Sequence, residues 1–300
     1  MAVSLTFETL PKNESLAEDF NVFKCNEYSL PSFAIKFLKE EAPSYEARED
    51  DIYIASYPKT GTTWTQEIIY LIHSDLDFEG AKTKGLDERF PYVEHARTDI
   101  CYVKEMKSPR LLKTHLPYSL LPTDIHKKQC KIIYITRNPR DVVVSYYHFA
   151  CMLKETHYTG TFEQFFERFI SSRATYSPFL MHNIEFWNKR NEKNILFLFY
   201  EDLKKDLHTN VMKIASFLEK QLTTENINAI IEHCSFQNMA KSNTVALSSN
   251  DVVGGSVGKF FRKGQVGDWK NYLTPEQIER LDEEVVKVCG KSGLEYTYEL

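Results

Sequence analysis

Three short runs, "DIYIASY" at 51–57, "KIIYITR" at 131–137 and "NILFLFYED" at 194–202, are apolar almost throughout and rich in β-branched or aromatic residues. Unbroken apolar runs of this length read as strands covered on both faces, the pattern of a parallel sheet. Between and after them the apolar period lengthens. "TTWTQEIIYLIHSDL" sets Trp64, Ile68, Ile69, Leu71 and Ile72 around a largely buried helix, and "PRDVVVSYYHFACML" and "TFEQFFERFISS" read as two more. "TPEQIERLDEEVVKVCGKSG" has a proline in its first turn and a glycine at its end, so it reads as a surface helix. Strands alternating with helices predict one α/β domain over residues 1–300, with a central, mainly parallel sheet flanked by helices and a P-loop-like architecture. No repeat or linker divides it. In such sheets ligands bind beyond the carboxyl ends of the strands.

Each predicted strand brings unusual polar residues to that end. After the first comes "SYPKTGTTW", where a strand turning straight into a helix leaves free N–H groups that favour an anion. Gly61 permits close backbone approach, Lys59 adds a full charge, and Thr60, Thr62 and Thr63 add hydroxyl donors. An ordinary helix start capped by Thr60 is the plainer reading. The nucleotide P-loop G-x-x-x-x-G-K-[ST] is not matched, because the leading glycine is missing and here the lysine precedes the glycine. The second strand ends in Arg137, with Ser145 about two helical turns on, a fork and a neutral donor suited to phosphate. A surface ion pair from Arg137 or Arg140 to Asp141 is the alternative. The third strand ends in Tyr200, and Asp202 beside it keeps a magnesium-dependent phosphoryl transfer reading open.

Further on, "SSNDVVGGSVGKFFRKGQVGDWKN" is glycine-rich, carries Lys259, Arg262 and Lys263, and reads as a long functional loop. Gly264 and Gly267 suit backbone contact with phosphate, against the plainer reading of a solvated basic loop. Three anion motifs point to a nucleotide charged at two places.

Composition narrows the class. A net charge of −5 offers no basic face for nucleic acid, so any anion site has to be local. The six cysteines, Cys25, Cys101, Cys130, Cys151, Cys234 and Cys289, show no paired spacing and fit reduced thiols in the cytoplasm. The opening "MAVSLTFETLPKNESLAEDF" lacks a basic region followed by an apolar core, and no apolar run is long enough for a bilayer, so neither a signal peptide nor a membrane partner is expected.

Taken together, the motifs resemble those of the cytosolic sulfotransferases, which use 3′-phosphoadenosine 5′-phosphosulfate as sulfuryl donor. "YPKTGTTW" resembles that family's 5′-phosphosulfate loop, "RNPRDVVVSYYHF" its 3′-phosphate region and "FFRKGQVGDWKN" its C-terminal signature, while "LLKTHLP" and "LFYEDL" match two further segments. The likeness runs from about "EDDIYIASYP" to "DWKNYLTPEQ"; residues before about 30 match loosely. It implies that Lys59, Thr60, Gly61, Thr62, Thr63 and Trp64 hold the 5′ end, and that Arg137 and Ser145, with Phe261, Arg262, Lys263 and Gly264, hold the 3′-phosphate end. Trp64, Tyr200, Cys234, Ser235 and Phe236 would line the adenine, with Cys234 where the family more often has threonine.

Sulfuryl transfer to a hydroxyl or amine needs a base near the acceptor, and His115 in "LLKTHLP" is that base, in agreement with the family's motif. A lysine aimed at the departing phosphate oxygen stabilises the transition state more than the ground state, which is the role expected of Lys59. Lys113 would face the transferring sulfonyl oxygens. The resemblance implies an in-line displacement that needs no metal. An apolar, aromatic acceptor pocket is expected from Phe37, Tyr92, His95, Phe149 and Leu153, suited to a small phenol or phenolic amine. Family members dimerise through K-x-x-x-T-V-x-x-x-E. Here "KNYLTPEQIE" keeps Lys270, Thr274 and Glu279 but sets Pro275, which has no N–H to donate, in place of valine. Two rival classes, a P-loop-like kinase and a non-catalytic nucleotide-binding protein, are separated by ATP turnover and by the behaviour of His115→Ala.

Overall fold

Seven strands form two sheets in a computed structural model that describes residues 5–12, 14–17, 20–95, 97–245, 251–253 and 260–300. Near the N-terminus β1 (Phe7–Thr9), β2 (Val22–Cys25) and β3 (Tyr28–Pro31) make a small antiparallel meander, which the apolar pattern does not announce. The central sheet contains β4 (Ile52–Ser56), β5 (Leu111–Thr114), β6 (Lys131–Thr136) and β7 (Ile195–Phe199), all parallel, in the order β5-β4-β6-β7. The three expected strands are β4, β6 and β7. The fourth, β5, carries only two apolar residues before Lys113, too few to stand out as a run.

Alternate side chains of each central strand enter opposite layers of core, as a pleated strand requires. Tyr53, Ala55, Leu112, Ile132 and Tyr134 pack on one face, and Ile52, Ile54, Leu111, Ile133 and Ile135 on the other. The second layer also receives Ile68, Ile69, Leu71 and Ile72 from the Thr62–His73 helix, which is buried along most of its length. At the amino ends of the strands, Arg110 makes a forked pair with Asp51, Nε donating to Oδ1 at 2.7 Å and Nη2 to Oδ2 at 2.5 Å, with both side chains fully buried. The two fork bonds satisfy charges that would otherwise be costly to bury.

The helices expected at "PRDVVVSYYHFACML", "TFEQFFERFISS" and "TPEQIERLDEEVVKVC" occupy Pro139–Met152, Phe162–Ile170 and Pro275–Cys289. Pro275 stands in the first turn of the last helix behind a capping box of Thr274 and Gln277, where a missing N–H costs nothing. Asp202 lies exposed in the Tyr200–Lys205 helix, not at a strand tip. Among the described residues no helix is long and apolar enough to cross a membrane, and no group of three or more side chains is placed to ligate a metal. Of the long glycine-rich loop, 248–250 and 254–259, including Lys259, lie outside the described residues.

Candidate active site

All four central strands point their carboxyl ends to one edge, so Ser56, His115, Arg137 and Tyr200 converge there from β4, β5, β6 and β7. After β4 the chain turns through positive φ at Lys59 (72°) and Gly61 (109°) before the Thr62–His73 helix begins. A side chain at Gly61 would also place its Cβ 2.8 Å from Cδ2 of Tyr200, so conformation and space both require glycine. No side chain caps this helix, and its first N–H groups stay free at its positive end.

A cavity of about 450 Å³ opens in front of that helix. Of the residues expected to hold nucleotide, Lys59, Gly61, Thr62, Thr63, Trp64, Arg137, Ser145, Tyr200, Cys234, Phe236, Phe261, Arg262, Lys263 and Gly264 line it. Two do not. The Thr60 hydroxyl is buried and directed to the carbonyl oxygens of Tyr57 (2.8 Å) and Ile135 (2.9 Å), so its side chain braces the loop. Ser235 caps the next helix, its Oγ accepting the Asn238 N–H at 3.3 Å. Cys234 contributes through its backbone, its carbonyl oxygen accepting the indole N–H of Trp64 at 2.9 Å. The Trp64 ring stands edge-on to Tyr200 at 5.6 Å, making an aromatic corner of the size of a purine face.

Six cations, Lys59, Lys113, Arg137, Lys204, Arg262 and Lys263, face this cavity against two carboxylates, Asp87 and Asp251. Arg137 donates from Nη2 to the Gln265 carbonyl at 2.7 Å and lies over the Tyr200 ring, while its buried Nε has no hydrogen-bond partner among the described residues. An orphaned guanidinium N–H beside a cationic cavity fits an anionic ligand.

Two carboxylates shape the rest: Asp141, considered in the sequence only as an ion-pair partner and lying 3.4 Å from Arg137 Nη2, and Asp268, which the sequence reading passed over. Asp141 accepts the N–H of Gly267 (2.9 Å) and of Trp269 (3.2 Å), fastening the basic loop to the Pro139–Met152 helix. Asp268 stands behind Arg262 and Lys263, bonded to a guanidinium N–H of the first and, at 2.5 Å, to the ammonium of the second. Burial pushes Asp268 upward, but hydrogen bonds from Lys263, Arg262 and Asn271 outweigh it and leave its pKa at about 2. An aspartate five residues beyond a lysine was the only sequence signal for this role.

A second cavity of about 530 Å³ shares Pro58, Asp87, Lys113, His115, Phe149 and Asp251 with the first. Of the residues named from the sequence for an acceptor pocket, Tyr92, His95, Phe149 and Leu153 line it. Phe37 does not: it is 2% exposed and packs edge-on against Tyr45 in the core, while Phe33, one helical turn earlier, lines the cavity. Tyr176, with no signal in the sequence, joins the wall and hydrogen-bonds Tyr92 hydroxyl to hydroxyl at 2.5 Å.

His115 sits on the shared wall, 8% exposed. Its Nδ1 is 2.6 Å from the Ser56 carbonyl oxygen, so Nδ1–H donates there and Nε2 carries the free lone pair. Burial, then the charge of Lys113, hold its pKa well below the usual value, against an opposing pull from the Ser56 carbonyl. Residues 91–94 run beside β5: Lys113 N–H donates to Pro91 O (3.0 Å), Val93 N–H to Lys113 O (2.9 Å), and His115 N–H to Oε1 of Glu94 (2.6 Å). The buried His182 adds a bond from Nε2 to the His115 carbonyl at 2.9 Å. Lys59 extends its ammonium between the Phe149 and Phe260 rings, 4.2 and 4.5 Å from their centroids. Burial, then Arg137, Lys113 and Arg262, lower its pKa to about 7. Lys113 lies over Tyr92 at 4.1 Å and is also lowered, chiefly by burial.

A family model described as "Sulfotransferase domain" matches residues 49–293. Sulfotransferase 1 family member D1 of Mus musculus is 41% identical over 266 residues, covering 87% of this chain and 90% of the relative. Amine sulfotransferase of Oryctolagus cuniculus is 40% identical over 255 residues, 82% of each chain. Among solved structures, retinol dehydratase in a complex with retinol and PAP matches with a TM-score of 0.88 at 27% identity, over 99% of this chain and 100% of that one. Mouse sulfotransferase SULT7A1 complexed with PAP matches with a TM-score of 0.73 at 32% identity, over 92% and 94%.

Proposed function

The chain belongs to the sulfotransferase family, and from that premise we propose that it sulfates a small phenol or phenolic amine in the cytoplasm, with His115 as general base. The coarser part is plain: it is a transferase whose sulfuryl donor is 3′-phosphoadenosine 5′-phosphosulfate. When bound, this cosubstrate supplies the sulfuryl group and departs as the 3′,5′-bisphosphate. The cationic cavity, the uncapped helix start and the orphaned Arg137 Nε fit that doubly charged nucleotide.

In this reading the N–H groups at the start of the Thr62–His73 helix, with Lys59, Thr62 and Thr63, hold the 5′ end. Arg137, Ser145, Arg262, Lys263 and the Gly264 backbone hold the 3′-phosphate, and Trp64, Tyr200, Phe236 and Phe261 enclose the base. The acceptor enters the second cavity with its hydroxyl at Nε2 of His115. As the acceptor oxygen bonds to sulfur and the sulfur–phosphate oxygen bond breaks, the hydroxyl proton passes to Nε2. Lys59 counters the charge developing on the departing oxygen, and Lys113 the charge on the sulfonyl oxygens.

The observation that carries this reading is the single imidazole on the wall between two cavities, with one nitrogen fixed to Ser56 and the other free. Incubating the protein with labelled donor and a panel of phenols, catecholamines, steroids and alcohols tests it. Label transferred to phenols supports the acceptor class, and label transferred only to steroids or aliphatic alcohols replaces it.

A further inference from the structure

We propose that Phe260 is a positioning residue for sulfuryl transfer: its ring, together with that of Phe149, seats the Lys59 ammonium beside the wall that the two cavities share and leaves it free to meet the departing phosphate oxygen. This rests on the role given to Lys59 above and names what holds that side chain in place.

The six cations of the donor cavity fall into two groups. Arg137 lies 3.4 Å from Asp141, and Arg262 and Lys263 share Asp268. Lys59, Lys113 and Lys204 have no ion pair and no side-chain hydrogen bond among the described residues, and each lies over an aromatic ring instead. Lys113 takes Tyr92 at 4.1 Å and Lys204 takes Trp64 at 5.6 Å, whereas Lys59 takes two rings, Phe149 at 4.2 Å and Phe260 at 4.5 Å. A carboxylate against an ammonium cancels its field and has to be displaced when an anionic ligand arrives. An aromatic face stabilises the cation through its quadrupole and brings no opposing charge. Lys59 depends on such a seat, because burial and then the positive charges of Arg137, Lys113 and Arg262 drive its pKa down to about 7.

Phe260 is itself held in a row of rings. It stands edge-on to Phe261 at 4.9 Å, Phe261 stands edge-on to Phe236 at 6.4 Å, and Phe149 closes the other end at 6.2 Å. Lys59 reaches this row from a backbone set at φ 72°. Phe149 borders both cavities, whereas Phe260 lines the donor cavity and not the acceptor one. A change at Phe260 therefore reaches the lysine without altering the acceptor wall.

Phe260→Leu keeps an apolar side chain and removes the aromatic face, and Phe260→Tyr keeps the face. Calorimetric titration of each protein with adenosine 3′,5′-bisphosphate, in buffers of different ionisation enthalpy, reads the pH midpoint of proton uptake on binding. The leucine protein loses a contact that favours the charged amine, so its midpoint is expected about half to one unit below that of the wild type, with the tyrosine protein matching the wild type. In Phe260→Leu kcat should fall about tenfold, with the acceptor KM little changed. An unmoved midpoint or an undiminished kcat in Phe260→Leu, or a shift that Phe260→Tyr fails to reverse, overturns the inference and leaves Lys59 its role. If the wild type takes up no proton, or Lys59→Met keeps the wild-type rate, the role of Lys59 falls and this inference falls with it.

Discussion

His115 and Ser56 are joined through the backbone of β4: Nδ1 of the imidazole lies 2.6 Å from the Ser56 carbonyl oxygen, and 3.2 Å from its Oγ. The carbonyl can only accept, so it fixes the tautomer and leaves Nε2, the proposed base, with the free lone pair. Replacing His115 by alanine is expected to lower kcat about 10² to 10⁴-fold, the usual contribution of a positioned base. Calorimetric affinity for the 3′,5′-bisphosphate should stay within a few fold, because the donor groups remain. Since the imidazole pKa is held well below its usual 6.5, the neutral base persists through pH 7 and kcat/KM is lost only on further acidification. An acid limb above pH 7 that vanishes in His115→Ala would contradict this.

Lys59 gives a pH dependence on the donor side. With its pKa at about 7 in the unloaded protein, the ammonium is charged below that pH and neutral above it. An anion placed against it favours the charged form, so binding takes up a proton above pH 7. Bisphosphate affinity is therefore expected to fall as pH rises beyond 7, by up to about tenfold per unit. Titrations in buffers of different ionisation enthalpy read the proton uptake directly. The Lys59→Met protein should show neither the uptake nor the slope.

Asp268 does not line the cavity, but under the proposed function it is expected to bear on the affinity for the 3′-phosphate. Its carboxylate anchors Arg262 and Lys263 from behind, and the neighbouring Asp141 fastens the same loop through two backbone N–H groups. Asp268→Asn keeps the shape and removes the charge. The expected result is about a tenfold weaker 3′,5′-bisphosphate, from loss of one charge-assisted anchor, with 5′-AMP affected far less. Equal weakening of both ligands would mean that Asp268 maintains the fold and not the phosphate contact.

The contrast between donor and acceptor sides also explains what the chain made legible. The phosphate recognition proposed here uses free backbone N–H groups and fixed cations at strand ends, and these leave local signatures: Lys59 to Thr63 after β4, Arg137 after β6, and Arg262 to Gly264. Thr60 shows the limit of that logic, since hydroxyl chemistry suited to phosphate also suits a loop brace, and only the fold decides. The wall of the proposed acceptor cavity draws Phe33, Tyr92, Phe149 and Tyr176 from four distant segments, so no local pattern announces it. The N-terminal meander was hidden because β1 to β3 are only three or four residues long and mix polar with apolar positions.

Phe33 and Phe37 put that limit to a test. They are neighbours across one helical turn, a spacing that brings side chains to a similar face, yet Phe33 lines the acceptor cavity and Phe37 is enclosed by core. Phe37→Ala removes a buried ring and is expected to cost about 3–5 kcal/mol of stability. Chemical denaturation reads this, and the acceptor KM of the folded enzyme should change little. Phe33→Ala should do the reverse, raising KM for a phenolic acceptor several fold with a smaller loss of stability, because its ring is half-buried against His95 and Tyr92. If Phe37→Ala changed KM and Phe33→Ala did not, the cavity would lie on the other side of this helix, and the acceptor wall drawn from Tyr92, His95 and Tyr176 would have to be redrawn with it.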